Sequence, residues 1–278
     1  MERNRAEGWQ HAKLSGHKNE DLVTQLIFDN TDVQQELLRC AGKQGKVTGV
    51  AEGGLCEKSI PSVLDDETKA KPDIRLLLND GNHVNVSVKK SLGGQVFLIT
   101  VDRFIRGYEA QYSQTIPQQV KRAISIYWGA ADDMDVLIEE YASDIDCPKQ
   151  GKLPYEKRKH RLVKTSMDKY DPRLSVAMIE WFQENIVNIF DFCFVRGLAK
   201  NAEDWADVIW YKNMLPDEDD GDTLFNMETL RKQISDAKDK IIYGNRTGGS
   251  TIQLPFGFVQ WHLGQMQFHH KLSDLKSL

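Results

Sequence analysis

Asp73, Ser87 and Lys89 lie close together in the stretch KPDIRLLLNDGNHVNVSVKKS, residues 71 to 91. An aspartate can hold a divalent cation, which polarises a phosphate and lowers the pKa of a bound water. A lysine beside it can orient or deprotonate that water and offset the charge that develops on the phosphate. Magnesium takes oxygen ligands and keeps several waters, so one or two carboxylates are enough to bind it. Ser87 offers a hydroxyl but no charge.

Two strands must bring these groups together. Ile74, Leu76 and Leu78 alternate with Asp73 and Arg75, and Val84, Val86 and Val88 alternate with Asn85, Ser87 and Lys89. Successive strand residues point to opposite faces. Asp80-Gly81, inside NDGN at 79 to 82, is a strong hairpin signal. With both apolar rows in the core, Asp73 and Lys89 share the opposite face near one end of the hairpin. The competing reading is a solvated polar face on which the two form a surface ion pair, worth at most about 1 kcal/mol.

The flanking segments give the frame. Leu22, Val23, Leu26 and Ile27 share a helical face, which predicts a first helix over 20 to 29 with Glu20 at its start. A second helix follows, with Asn30 or Thr31 as cap and Gly42 as stop. KVTGVAE reads as a strand, and QVFLITV at 95 to 101 as a fully buried one. Three helices follow, in DRFIRGYEAQY, PQQVKRAISIYWG and MDVLIEEYASDI. The stretch from Asp171 to Gly197 reads as one long, mostly buried helix. ADVIWYKN is strand-like, NMETLRKQISDAKDK is an amphipathic helix, and the C-terminal stretch reads as strands around Gly-rich turns. The expected fold is α/β, a mixed central β-sheet flanked by helices, with a C-terminal α+β elaboration. The expected division is a core over 1–145 and an elaboration over 146–278, packed as one unit.

Pro72-Asp73, thirteen residues, then Ser87-Val88-Lys89 resembles the PD-(D/E)XK nuclease superfamily, typified by type II restriction endonucleases. The order of a helical Glu, a strand Asp and a next-strand Lys, then a buried strand and a helix, is similar to that family's core over roughly residues 12 to 128. The resemblance implies a restriction-endonuclease-like core that hydrolyses double-stranded DNA with Mg2+, for which Mn2+ can substitute, leaving 5′-phosphate ends. It implies that Asp73 and the backbone carbonyl of Val88 are metal ligands and that Lys89 positions the attacking water. Ser87 stands where the family usually has Asp or Glu. A glutamate from elsewhere is then expected to complete the acidic set: Glu20 first, Glu109 second, Glu52 third. Ser87 itself would hydrogen-bond the water. Restriction enzymes are often homodimers, and a host-defence role implies a cognate DNA methyltransferase gene nearby. Repair or structure-specific nucleases of the same fold, and a non-catalytic DNA-binding module, are the alternatives.

Composition fits this. The chain has 278 residues, 40% apolar and 28% charged, with net charge −5. That disfavours a protein coated in basic surface but allows a local basic groove. No apolar run suits a membrane span, and the first residues lack a secretory signal, so a cytoplasmic protein is expected. The four cysteines form no zinc or disulfide pattern. Residues 149 to 169 hold eight Lys/Arg against two acids. Within this run Lys157, Arg158, Lys159 and Arg161 are the candidate DNA-backbone contacts, with solvated surface as the other reading. Arg246, in GNRTGGS, is a candidate for a DNA groove. Gln253, Gln260, Gln265 and Gln267 fall on predicted strands and can read base edges or simply face water. His17 lies near Glu20, and the plainer reading is a solvated loop residue. His262, His269 and His270 have no zinc-like spacing, and PDEDDGD at 216 to 222 does not fit a calcium loop.

Overall fold

Hydrophobic alternation sets the strands. In the computed structural model, which describes residues 5–51, 55–216 and 221–278 and side chains from residue 14 on (Cys56 excepted), they are β1 (Val47–Ala51), β2 (Ser59–Pro61), β3 (Glu67–Lys69), β4 (Ile74–Leu78), β5 (His83–Lys89), β6 (Gly93–Thr100), β7 (Val208–Tyr211), β8 (Thr223–Asn226), β9 (Ile242–Tyr243), β10 (Thr251–Leu254), β11 (Gly257–His262) and β12 (Gln265–Lys271). The helices are α1 (Arg5–Asp29), α2 (Thr31–Cys40), α3 (Val101–Tyr112), α4 (Gln118–Tyr127), α5 (Met134–Tyr141), α6 (Lys164–Tyr170), α7 (Pro172–Glu184), α8 (Ile186–Asp191), α9 (Met227–Asp236) and α10 (Leu272–Lys276). None is long and apolar enough to cross a membrane among the described residues.

The chain forms two compact units, Met1–Gly93 with Asp191–Lys232, and Gly94–Phe190 with Gln233–Leu278. The expected break after residue 145 falls inside the second of these.

In the first unit the sheet order is β1-β4-β5-β7-β8. All neighbours are antiparallel except β5 and β7, which run parallel, so the sheet is mixed. Its apolar face carries Ile74, Leu76, Val84 and Val86, all fully buried, packed with Val23 and Ile27 of α1 and Leu37 and Leu38 of α2. The Asn30 side chain caps α2, accepting from the amides of Asp32 and Val33 at 3.0 and 3.2 Å. Gly42, at φ +65°, turns the chain out of that helix. Cap and stop stand where the residue types put them.

The second unit holds the sheet β6-β12-β11-β10-β9. Ile252, Val259, Met266 and Phe268 are fully buried on one face. The opposite face, through Gln253, Phe258, Gln260, Gln267 and His269, is half-exposed.

Four expectations change. α1 begins at Arg5, so Glu20 lies well inside the helix rather than at its start. β6 is buried only at Ile99, and it pairs with β12 in the second sheet. The neighbour of β5 is instead β7, more than a hundred residues downstream. The long helix after Asp171 is broken at Asn185, whose side chain donates to the Trp181 carbonyl at 2.9 Å and accepts from the Tyr108 hydroxyl at 2.9 Å. It then ends in a π-turn, Phe192–Arg196.

The β4–β5 reversal holds the site-bearing pair in register. Gly81 has φ +84°, and the Asp80 carboxylate accepts from the Asn82 amide at 2.9 Å. A β-branched side chain at that φ is strained, so Gly81→Val is expected to destabilise the first unit by at least about 1 kcal/mol. Urea denaturation of the two proteins measures it; an unchanged midpoint would mean the turn does not set the register.

Candidate active site

Ile74 is opposite Val86 and Arg75 opposite Asn85, and Asp73, just before β4, brings its Oδ2 to 3.5 Å from Ser87 Oγ. The Asp73 amide donates at 2.9 Å to the carbonyl of Val86, the residue opposite Ile74. Asp73, Arg75, Asn85, Ser87 and Lys89 therefore share one face, as alternation predicts.

That face is not a solvated surface. Asp73 is 8% exposed, Asn85 1% and Ser87 not at all. Burying an ionised carboxylate is costly unless it is hydrogen-bonded. Asp73 Oδ2 accepts from the backbone amide of Val88 at 2.6 Å. The surface ion-pair reading is thereby overturned.

Ser87 stands between the two ionisable groups and bonds one of them. Lys89 Nζ donates to Ser87 Oγ at 2.7 Å. Ser87 Oγ lies 3.2 Å from the Lys71 carbonyl and 3.5 Å from Asp73 Oδ2. A hydroxyl has one proton, and the shorter contact favours the Lys71 carbonyl as its acceptor. Ser87 thus holds the Lys89 ammonium without adding charge, with the Asp73 carboxylate 3.5 Å from the same hydroxyl oxygen.

The other two polar residues of the face have a structural task. Arg75 Nε donates to Asn85 Oδ1 at 2.8 Å, and Arg75 Nη2 to the Glu203 carbonyl at 2.7 Å. Asn85 Nδ2 donates to the carbonyls of Glu203 and Trp205, both at 2.8 Å. They anchor the loop that leads into β7.

α1 is fixed to the same end of the sheet. Asn19, 1% exposed, donates to the Lys212 carbonyl at 2.9 Å and accepts from the Met214 amide at 2.6 Å. The Lys212 amide in turn donates to the Lys89 carbonyl at 3.0 Å, and Lys90 Nζ donates to Ser15 Oγ. Glu20, one residue beyond Asn19, is 3.5 Å from His17 Nδ1, whose Nε2 is 3.7 Å from Glu57. The turn bearing Glu57 is tied back by the Leu55 amide, 3.4 Å from the Asp73 carbonyl. His17 is thus engaged between two carboxylates, not a bare loop residue. Among the described residues, no group of three or more His, Cys, Asp or Glu is arranged to hold a metal ion. Glu109 belongs to the second unit, where it pairs with Lys121 at 2.8 Å and accepts from the Ile116 amide at 2.8 Å. Glu52 lies outside the described residues.

One member of the site was missed in the sequence. Lys71 has Asp73, Lys89 and Cys193 as electrostatic neighbours, and desolvation pulls its amine down to about 7 although the residue keeps some solvent exposure. Burial pushes the Cys193 thiol well up. The Lys71 stem crosses Gly197, where an added Cβ would stand 2.8 Å from Lys71 Cε. Gly197 closes the π-turn at φ +54°, ψ −130°, a conformation open essentially to glycine. Alternation did carry a signal, because 71, 73 and 75 share parity.

The candidate DNA contacts divide. Lys157, Lys159 and Arg246 are exposed, and Arg158 is half-buried with its Nε on the Leu153 carbonyl at 2.9 Å. Arg161 does not belong with them. It is 5% exposed, donates to the Ser250 carbonyl at 3.0 Å, and lies 5.2 Å from the Tyr127 ring and 5.5 Å from the Trp261 ring. The chain dives into the core there, with Leu162 and Val163 fully buried. A charge count along the sequence does not see that turn inward.

No protein-family model and no curated protein sequence matches the chain. Among solved structures it is similar to restriction endonuclease MspI in complex with its cognate DNA, at a TM-score of 0.48 and 12% identity, covering 86% of this chain and 77% of that one.

Two outcomes follow from Lys71 and its cradle. The folded pKa lies below the free-lysine value, so the unfolded chain binds more protons between about 7 and 10.5. Stability attributable to this residue therefore rises with pH across that window, and its cost is full below about pH 7. Lys71→Met is expected to stabilise the metal-free protein at pH 6 and to lose that advantage by pH 10, read by urea denaturation across the range. A pH-independent difference would place the amine in water. Gly197→Ala forces both the φ and the Lys71 contact, and is expected to cost more than about 1 kcal/mol.

Proposed function

We propose that this chain is a metal-dependent nuclease that hydrolyses phosphodiester bonds in double-stranded DNA, of the type II restriction endonuclease kind. The observation that carries the proposal is the line of buried Asp73, buried Ser87 and half-buried Lys89 at one end of the β4–β5 hairpin, with Lys89 Nζ bonded to the Ser87 hydroxyl and Asp73 Oδ2 3.5 Å from it.

The donors fit a hard cation. They are oxygens, with one buried carboxylate at Asp73, and magnesium is content with one or two carboxylates and retained waters. A zinc set of thiolates and imidazoles is not assembled among the described residues. Asp73 and the Val88 carbonyl would hold the ion, with Glu20 as the second carboxylate in place of the acid missing at position 87. When bound, Mg2+ or Mn2+ supplies charge stabilisation of the phosphate and acidifies water.

The chain's own groups do the remaining work. Lys89, fixed by Ser87 Oγ, orients the attacking water and stabilises negative charge growing on the phosphate oxygens. Ser87 sets the Lys89 side chain in that position and leaves its charge unneutralised, which an aspartate there would not. The Val88 amide aims the Asp73 carboxylate by donating a hydrogen bond to Oδ2 at 2.6 Å. In-line attack on phosphorus breaks the bond to the 3′ oxygen, leaving a 5′-phosphate and a 3′-hydroxyl. Lys157, Lys159 and Arg246 are proposed to meet the DNA backbone. A homodimer, a cytoplasmic setting and a neighbouring methyltransferase gene belong to the same restriction reading.

Digestion of long unmethylated duplex DNA tests this. Wild type with magnesium is expected to give discrete bands, and EDTA to abolish them. Asp73→Ala and Lys89→Ala should each lower cleavage by about a hundredfold or more, with circular dichroism unchanged. Ser87→Ala should lower the cleavage rate by less, and leave DNA affinity as it was. Cleavage by Asp73→Ala at the wild-type rate would sink the assignment. Cleavage confined to junctions or flaps would favour a repair enzyme, and no cleavage of any duplex in magnesium or manganese a binding module.

A further inference from the structure

The distribution of acids marks one surface of the second unit. The chain has 41 acidic residues among 278, yet residues 241 to 271, IIYGNRTGGSTIQLPFGFVQWHLGQMQFHHK, contain none. An even spread would place about four or five there. This stretch supplies β9 to β12, and β6 beside them is also free of acids. A surface from which carboxylates are missing suits a polyanion, since a single misplaced carboxylate repels a phosphate backbone.

The outward face of that sheet is built from amides. Gln260 and Gln267 are directly opposed on β11 and β12, and Phe258 is opposed to His269. Gln267 Nε2 donates to Gln95 Oε1 at 2.7 Å, Gln260 Nε2 donates to Gln267 Oε1 at 2.8 Å, and Gln260 Nε2 lies 3.2 Å from His269 Nε2. His269 stacks on Phe258 at 4.5 Å with 7° between the planes. Each carboxamide is thus fixed in direction. Gln260 has spent its donors and keeps its carbonyl oxygen, while Gln267 keeps one N–H and Gln95 its amide donors, all on a half-exposed face. These are donors and acceptors held rigid and offered outward.

The β11–β12 connection is tight. Leu263 at φ +52° and Gly264 at φ +86° make a two-residue turn of the kind that joins twisted strands without splay. The Gln260–Gln267 pair lies two residues behind the tip pair His262–Gln265, about 7 Å along the strands. The DNA major groove is about 8.5 Å deep and admits a two-stranded ribbon. At the tip, Lys159 runs beside Gly264, where an added Cβ would stand 3.5 Å from Lys159 Cδ and Nζ. The backbone of Lys159 is clamped by Gln150, which donates to its carbonyl at 2.7 Å and accepts from its amide at 3.1 Å. The Lys159 backbone is thus held at the hairpin tip, with its exposed side chain beside Gly264.

We propose that the β11–β12 hairpin reads base edges in the major groove of duplex DNA, with Gln260 and Gln267 as the specificity-determining residues and Lys159 as a phosphate contact. This rests on the reading of the chain as a DNA enzyme. Gln is suited to pair with adenine N6 and N7, and the spare Gln267 N–H and Gln260 carbonyl supply one donor and one acceptor side by side.

The test uses the full chain carrying Asp73→Ala, so that binding is read without cleavage. It is incubated with a pool of random duplex DNA in magnesium and the retained fraction sequenced. One short preferred sequence is expected. Gln260→Ala and Gln267→Ala should weaken binding to it by about ten- to a hundredfold, with binding to random duplex nearly unchanged. Gln267→Glu keeps the length of the side chain and loses its donors, so it should change the preferred base at one position, which a merely structural role would not do. Lys159→Ala should weaken preferred and random duplexes alike and make binding less salt-dependent. An identical preferred sequence in all the glutamine variants would overturn the proposal and leave the nuclease reading standing. No duplex bound by any version would overturn both. Self-association in sedimentation that is lost in Gln267→Ala would overturn it in favour of a second copy as the occupant of this face.

Discussion

The antiparallel register of β4 against β5 determines where Ser87 and Lys89 stand relative to Asp73. Ile74 is opposite Val86, and the Asp73 amide just before β4 bonds the Val86 carbonyl at 2.9 Å, which leaves the Asp73 carboxylate 3.5 Å from the Ser87 hydroxyl. Side chains on strands alternate with a period of two, so a slip of one residue would send Asp73 to the face of Ile74 and Leu76. The apolar rows forbid that slip, because Ile74, Leu76, Val84 and Val86 are all fully buried against α1 and α2. Packing on one face of the hairpin thus fixes the chemistry on the other.

The polar face is divided between two tasks. Toward the turn, Arg75 and Asn85 hold the loop at 203 to 205 and so deliver β7 alongside β5. Toward the other end, Asp73, Ser87 and Lys89 are left for the site. Burying this much polarity is affordable only because nearly every group is bonded. Lys71 is the costly member, with its amine pulled to about 7 by desolvation. Residues held against such a cost cluster at functional sites. The device that shapes its surroundings is local: a π-turn that presents Cys193 and ends on a glycine beneath the Lys71 stem. π-turns within helices recur at functional positions.

Charge is separated along the chain, and the structure shows what each part does. Some of the acids between 200 and 222 are tied into the first unit: Asp207 pairs with Lys43 at 2.9 Å and accepts from the Asn85 amide at 2.7 Å, and Asp204 lies 3.6 Å from Arg75. The acid-free stretch forms most of the second unit's sheet, where glutamines replace charges on the outward face. The basic run between 149 and 169 is likewise split between exposed Lys157 and Lys159 and buried Arg161, whose guanidinium lies over Tyr127 and Trp261.

By itself the sequence determined what depends on local spacing. Alternation from 73 to 89, the Asp80-Gly81 turn, the Asn30 cap and the Gly42 stop each follow from side-chain period or backbone freedom within a few residues, and each stands as read. The tertiary structure decided what depends on partners far away. That β7 rather than β6 lies beside β5 is a choice between hydrogen-bonding edges separated by more than a hundred residues, and no local pattern encodes it. Arg161 turns inward because aromatic rings and the Ser250 carbonyl await it, groups supplied by other segments. Lys71 shares the parity of Asp73, so its face was legible. Its lowered proton affinity was not, because desolvation is a property of everything packed around the amine, Cys193 included, and that packing exists only once the chain has folded.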